Sequence, residues 1–211
     1  MVMNAQIIFS AIDIVGTFVF AISGAAAAIQ RRLDIFGIIL LAFIAACGGG
    51  ILRDVMIGAT PPTSLMNIHY IAWSVVAAVF TIICWPLFNY LKHPVLLFDA
   101  IGLSLFCVVG AQKTLLYTGS VTAAVFLGMV TAVGGGVLRD MILNRIPLIL
   151  SKEIYALAAL IGSLVFVSLE QMRLLLHWHS WLAMLVCFSL RMLALRFQWH
   201  LFRPLNRYID G

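Results

Sequence analysis

The chain has 211 residues, of which 64% are hydrophobic and 10% charged, with a formal net charge of +5 and a mean hydropathy of +1.10. So much apolar surface cannot be hidden inside a soluble domain of this length, so the composition excludes one and indicates an all-α integral membrane protein. The positive balance requires no nucleic-acid partner, because a basic segment against anionic membrane lipid accounts for it.

Along the chain, the apolar segments Ala5 to Ile29, Ile35 to Ile57, Ile68 to Leu91, Val95 to Leu116 and Val121 to Leu143 stand out. Each reaches the roughly 20 residues a helix needs to cross ~30 Å of hydrocarbon. A shorter segment follows at Ile154 to Leu169, and another from about Ser180 to Leu195 carries Arg191 near its end. Seven transmembrane helices are therefore expected, in a single membrane domain over residues 1–211. Met1 to Gln6 lacks the basic stretch of a signal peptide and the first span holds Asp13, so that span is expected to stay in the mature protein.

Basic residues alternate between the two sides of this layout. Arg31, Arg32, Lys92, Arg145, Lys152, Arg191, Arg196, Arg203 and Arg207 fall on one side, and only Arg173 falls on the other. The positive-inside rule then places the N-terminus outside and the C-terminus in the cytoplasm.

The second span contains Gly48, Gly49, Gly50, Ile51, Leu52, Arg53 and Asp54; 86 residues later the fifth contains Gly134, Gly135, Gly136, Val137, Leu138, Arg139 and Asp140. The same ungapped shift matches Asp13 to Asp99, Gly16 to Gly102, Phe20 to Phe106, Gly24 to Gly110 and Pro61 to Pro147. Two copies of one unit explain this, at about residues 5–91 and 95–170. Residues 171–211 hold the outer loop, the seventh helix and a basic tail. A unit of three spans has odd parity, so its second copy enters the membrane from the opposite face and the repeat is inverted, with a functional site near the midplane.

Three consecutive glycines cost a helix about 1 kcal/mol each relative to alanine, so Gly48 to Gly50 and Gly134 to Gly136 need a compensating reason. Close packing of two helices is one. A broken helix whose freed carbonyls line an aqueous cavity is the other. The charged pair beyond each triplet favours the second, and the helical hydrogen bonding is expected to be interrupted at both triplets.

Converting sequence to depth at 1.5 Å per residue sorts the intramembrane charges into two groups. Asp13, Arg53, Asp54 and Lys113 lie toward the outer face and sum to zero. Asp99, Arg139 and Asp140 lie toward the inner face and leave one negative charge, because Ala27 is the position matching Lys113. Ionisable groups in a membrane interior mark ion or substrate pathways by default. Arg53 with Asp13 and Arg139 with Asp99 also read as structural ion pairs. The unmatched Lys113 reads as a permeation or gating residue.

Other polar residues carry less. His177 and His179 flank Trp178 and with Trp181 read as an interfacial belt, and Asp34, Glu153 and Glu170 as solvated caps at span ends. Cys47, Cys84, Cys107 and Cys187 have no metal-ligand spacing. No nucleotide-binding loop, nucleophile elbow or zinc-protease motif is present, so neither an enzyme, a cofactor nor a metal site is indicated.

The doubled glycine triplet with its Arg-Asp pair, together with Asp13, Asp99 and the three-plus-three-plus-one layout, resembles the bacterial branch of the trimeric intracellular cation (TRIC) channels, whose domain is also called a glycine transporter. The resemblance implies a homotrimer in a prokaryotic inner (plasma) membrane, a pore in each protomer with the kinked second and fifth spans crossing at the glycines, and permeation of monovalent cations, chiefly potassium. Animal members carry a pore lysine followed by glutamate in the fourth span; Lys113 resembles it, with Thr114 following. A secondary transporter for glycine or another small amino acid remains the alternative, with arginine holding the carboxylate and aspartate the amine.

Overall fold

The computed structural model describes residues 2–88, 90–91, 93–151, 154–172 and 178–197. Lys92, Lys152, Glu153, Arg173, His177, Arg203 and Arg207, used above for orientation, belts and caps, lie outside the described residues. Among the described residues the chain forms helices α1 (Val2–Gln30), α2 (Ile35–Met56), α3 (Thr63–Met66), α4 (Ile68–Ile83) and α5 (Trp85–Phe88). It continues as α6 (Pro94–Thr118), α7 (Val121–Ile142), α8 (Leu148–Ser151), α9 (Ile154–Gln171) and α10 (His179–Phe197).

Local sequence sets the ends of these helices. Asp34 caps α2 by accepting from the Gly37 amide at 2.7 Å, and Asn67 and Ser120 cap α4 and α7 in the same way. Gly119 closes α6 in the left-handed conformation, φ 66°. Among the described residues six helices are long and apolar enough to cross a membrane: α1 from Phe9, α2, α6, α7, α9 and α10. The expected third span, Ile68 to Leu91, is not one helix. α4 has 16 residues, about 24 Å of helix, and the chain breaks at Cys84 before the short α5. Pro86 lies just beyond the break; it has no amide to give the Ile82 carbonyl and its ring crowds that position.

The helices pack through small residues. Ala25, Ala26, Ala27 and Ala28 of α1 are buried, as are Ala42, Ala45 and Ala46 of α2, and α1 lies against α2, α4 and α6. Such residues let backbones approach where lipid offers no hydrophobic drive for association. Large apolar side chains such as Phe36, Ile83 and Leu116 point outward at 72%, 71% and 75% exposure, as expected of surfaces bathed in hydrocarbon rather than water.

Close approaches recur between the two halves with partners exchanged. A Cβ on Gly16 would sit 2.7 Å from the Phe106 ring, and one on Gly102 would sit 2.6 Å from the Phe20 ring. The two phenylalanines stack with ring centroids 5.3 Å apart. Where α2 crosses α7, a Cβ on Gly49 would collide with the Thr131 carbonyl oxygen, and one on Gly135 with the Ala45 carbonyl oxygen. Thr131 is the counterpart of Ala45 and Gly135 of Gly49 under the 86-residue shift.

Both α2 and α7 run as unbroken helix through their triplets, which corrects the expected interruption of helical hydrogen bonding. The glycines offset their helix cost by close approach: with no Cβ at Gly49 or Gly135, each helix accepts the other's backbone. Arg191 also differs from its sequence reading. It is 1% exposed inside the bundle, because α10 continues to Phe197 and turns that position toward α6 and α9. It therefore leaves the tally of loop charges, whereas Arg196 remains exposed.

Candidate functional site

The glycine crossing separates two clusters of buried charge. At the C-terminal end of α2, Arg53 and Asp54 are 6% and 1% exposed. The guanidinium holds its neighbour's Oδ1, with Nε at 2.9 Å and Nη2 at 2.8 Å. The other oxygen of Asp54 accepts from Lys113 Nζ at 2.9 Å and from the Thr63 amide at 3.0 Å. Lys113 also donates to Thr63 Oγ1 at 2.7 Å, so α6, α2 and the short α3 are tied at one carboxylate.

Asp13 takes a different partner from the one its depth suggested. It accepts a hydrogen bond from the Tyr70 hydroxyl of α4, while Arg53 is committed to Asp54. Among the described residues no lysine or arginine makes an ion pair with Asp13, which leaves it half-buried and able to face a cavity.

The second cluster is more tightly closed. Arg139 donates from Nε to Asp140 Oδ1 at 2.9 Å and from Nη1 to Asp99 Oδ1 at 2.8 Å and Ser23 Oγ at 2.7 Å. Asp99 is 0% exposed. Asp140 accepts from the Leu148 amide at 3.2 Å, as Asp54 does from Thr63. The sequence-based pairing of Arg139 with Asp99 is present here, and that of Arg53 with Asp13 is not.

Three cavities adjoin these groups. One of about 410 Å³ is lined by Phe9, Asp13, Arg53, Tyr70, Gln112 and Lys113 among others. A narrower one, about 20 Å³, continues past Asp13, Cys47, Gly50, Arg53 and Asp54 to Thr131 of α7. On the other side, a cavity of about 190 Å³ is lined by Gln30, His93, Arg139, Asp140 and Arg145. Arg145 lies in the turn after α7, where partial burial and then the nearby Arg31 hold its guanidinium below the ordinary arginine value. Polar walls of both signs on either side of a backbone crossing can strip and replace part of an ion's hydration shell.

Sequence reasoning brought together Asp13, Arg53, Asp54 and Lys113, and separately Asp99, Arg139 and Asp140, but missed several of their partners. Thr63, Ser23, Tyr70 and Tyr155 were overlooked, and Arg191 was counted with the cytoplasmic charges. Tyr70 and Tyr155 carried a signal, since each is a phenol in an apolar segment at nearly the repeat spacing from the other. Among the described residues there is no group of three or more His, Cys, Asp or Glu that could hold a metal. The four cysteines are free, and His179 pairs with Glu170 at 2.9 Å, so Glu170 is not merely a solvated cap.

Comparison with known proteins adds a lineage to this geometry. A family described as Glycine transporter matches twice, over residues 10–86 and 96–171. A UPF0126 membrane protein of Vibrio cholerae is 37% identical over 72% of this chain, the match spanning 64% of that relative's own length. The UPF0126 inner membrane protein YadS of Escherichia coli is 36% identical over 92% of this chain and 93% of its own. Among solved structures, the TRIC trimeric intracellular cation channel orthologue from Rhodobacter sphaeroides superposes with a TM-score of 0.86 at 32% identity, covering 91% of this chain and 99% of that one. The chain therefore belongs to the UPF0126 glycine-transporter family, the bacterial branch of the TRIC family.

Proposed function

We propose that this protein is a cation channel, permeable to potassium and other monovalent cations, that works as a homotrimer with a pore in each protomer. The observation that carries this reading is the arrangement of charge-lined cavities on either side of the α2–α7 crossing at Gly49 and Gly135. On this reading Gly48, Gly49, Gly50, Gly134, Gly135 and Gly136 form the constriction. Asp13, which faces the larger cavity beside Arg53 and Lys113 but makes no ion pair among the described residues, attracts the ion. Lys113 spans the same cavity wall and acts as the gate, while Arg53, Asp54, Asp99, Arg139 and Asp140 set the field on the two sides. Similarity to a solved TRIC cation channel supports the assignment.

The layout that goes with it has seven spans, with α4 and the turn after it as the short third one, arranged as two inverted three-helix repeats and a closing seventh helix. The exchanged contacts of Gly16 with Phe106 and Gly102 with Phe20 support a two-fold relation between the halves, as does the double match of the family description. The N-terminus lies outside and the basic C-terminus in the cytoplasm, next to anionic lipid.

Reconstitution into liposomes tests the reading. Potassium conductance without uptake of labelled glycine is expected; saturable glycine uptake without conductance would replace the channel by a carrier.

A further inference from the structure

Counted over the duplicated helices alone, the two charge clusters are unequal. Asp13, Arg53, Asp54 and Lys113 cancel, but Asp99, Arg139 and Asp140 retain a negative excess because Ala27 stands at the position matching Lys113. The fold brings a further cation to the second cluster from α10, which lies outside the duplication. Arg191 is 1% exposed, and its guanidinium carbon lies 4.7 Å from the centroid of the Tyr155 ring. Tyr155, also 1% exposed, presents its hydroxyl to the same notch as Asp99: a Cβ on Gly136 would sit 2.8 Å from that hydroxyl and 3.3 Å from Asp99 Oδ1. Arg191 Nε and Nη2, and Asp99 Oδ2, are buried and make no hydrogen bond among the described residues.

A guanidinium sealed among helices is tolerated in the field of an acid or over an aromatic face, and Arg191 has the second directly and the first across it. We propose that Arg191 is the fourth charge of the second cluster and that it controls cation passage there, by cancelling the negative excess of Asp99, Arg139 and Asp140. Without it, Arg139 alone serves two carboxylates. Arg139 is then drawn to Asp99, whose Oδ2 makes no hydrogen bond among the described residues, and Asp140, which lines the cavity on that side together with Arg145, is left in excess and holds a multivalent cation. The symmetry of the fold is thus broken twice, and with compensation: Lys113 balances one cluster from inside the repeat, and Arg191 balances the other from outside it.

The flux consequence rests on the channel reading, and the test separates the two. Magnesium block of potassium flux, with magnesium added to either side of the liposome, is measured for the wild type, Arg191→Met, Arg191→Lys and the double variant Arg191→Met with Asp99→Asn. Arg191→Met is expected to be blocked at a magnesium concentration at least tenfold below that for the wild type. Arg191→Lys and the double variant should return to wild-type sensitivity. Unchanged sensitivity in a trimeric Arg191→Met protein overturns the proposal. Melting temperatures in detergent give a second readout for the wild type, the single variants Arg191→Met and Asp99→Asn, and their double. Charge coupling requires the double variant to lose less than the two singles together, and additive losses overturn it. A wild type that passes no potassium sinks the channel reading, and the melting temperatures then decide on Arg191 by themselves.

Discussion

Lys113 on α6 reaches Asp54 on α2 with Nζ 2.9 Å from Oδ2, although the two lie in different repeats of the duplicated sequence. The lysine is one-third exposed along its side chain and the aspartate 1%; Lys113 lines the larger cavity and Asp54 the narrower one. On the channel reading proposed above, the lysine is the charge an entering ion meets.

Removing that charge should raise potassium flux. Asp54 keeps Arg53 and the Thr63 amide in Lys113→Ala and Lys113→Gln, so the wall stays in place while its charge falls by one. We expect an increase of about three- to tenfold, equivalent to about 0.7–1.4 kcal/mol of barrier, with Lys113→Arg close to wild type. Liposome flux with trimer assembly checked is the measurement, and equal flux in all variants would leave the lysine a structural pair.

Neighbouring glycines should respond in opposite directions. Gly49→Ala and Gly135→Ala force a methyl group into a carbonyl oxygen of the facing helix, and such overpacking costs about 1–3 kcal/mol. Gly50→Ala meets nothing closer than 3.7 Å and gains up to about 1 kcal/mol of helix propensity. Thermal unfolding in detergent should therefore separate residues 49 and 50. Gly49→Leu, where it still assembles, should lose most of its potassium flux.

Arg139 should matter more to stability than Arg53. Arg139→Met strands two buried carboxylates, Asp99 and Asp140, which typically costs 3–5 kcal/mol. Arg53→Met leaves Asp54 held by Lys113 and Thr63, and about half that cost is expected by the same reasoning. A chemical unfolding series on both variants checks the order; a larger loss at Arg53 would contradict it.

Asp13→Asn should lower potassium flux about fivefold or more, an energy near 1 kcal/mol, because a half-buried carboxylate on the larger cavity loses its charge. Stability should change little, since the amide oxygen still accepts from Tyr70. Flux equal to wild type would remove Asp13 from the pathway.

Much of this architecture was legible before any coordinates. Hydropathy located every long helix to within a few residues, because crossing hydrocarbon sets a minimum length that few other constraints imitate. Depth grouped Asp99 with Arg139 correctly, since both lie on helices that pack directly together. It failed for Arg53 because that guanidinium gives both Nε and Nη2 to Asp54 and Asp13 accepts from Tyr70 instead, whereas Arg139 gives Nε to Asp140 and keeps Nη1 for Asp99. Of the two readings given for the glycine triplets, close packing against an opposing backbone holds, and the interruption that the neighbouring charged pair suggested does not. Arg191 was counted with the cytoplasmic charges because it lies near the end of its apolar run, and nothing in the run announces that its polar member turns inward.

The exchange of partners between Gly16 and Phe106 on one hand, and Gly102 and Phe20 on the other, has the form of an isologous contact, the kind two identical subunits make about a two-fold axis. On the inverted-repeat reading proposed above, a single chain contains what would otherwise be a dimer interface. Divergence of either copy is then free of the constraint that binds a true homodimer, where every substitution appears twice. A lysine can arise at residue 113 while its counterpart stays Ala27, and this independence of the copies is what allows a symmetrical scaffold to carry a directional, unequal interior.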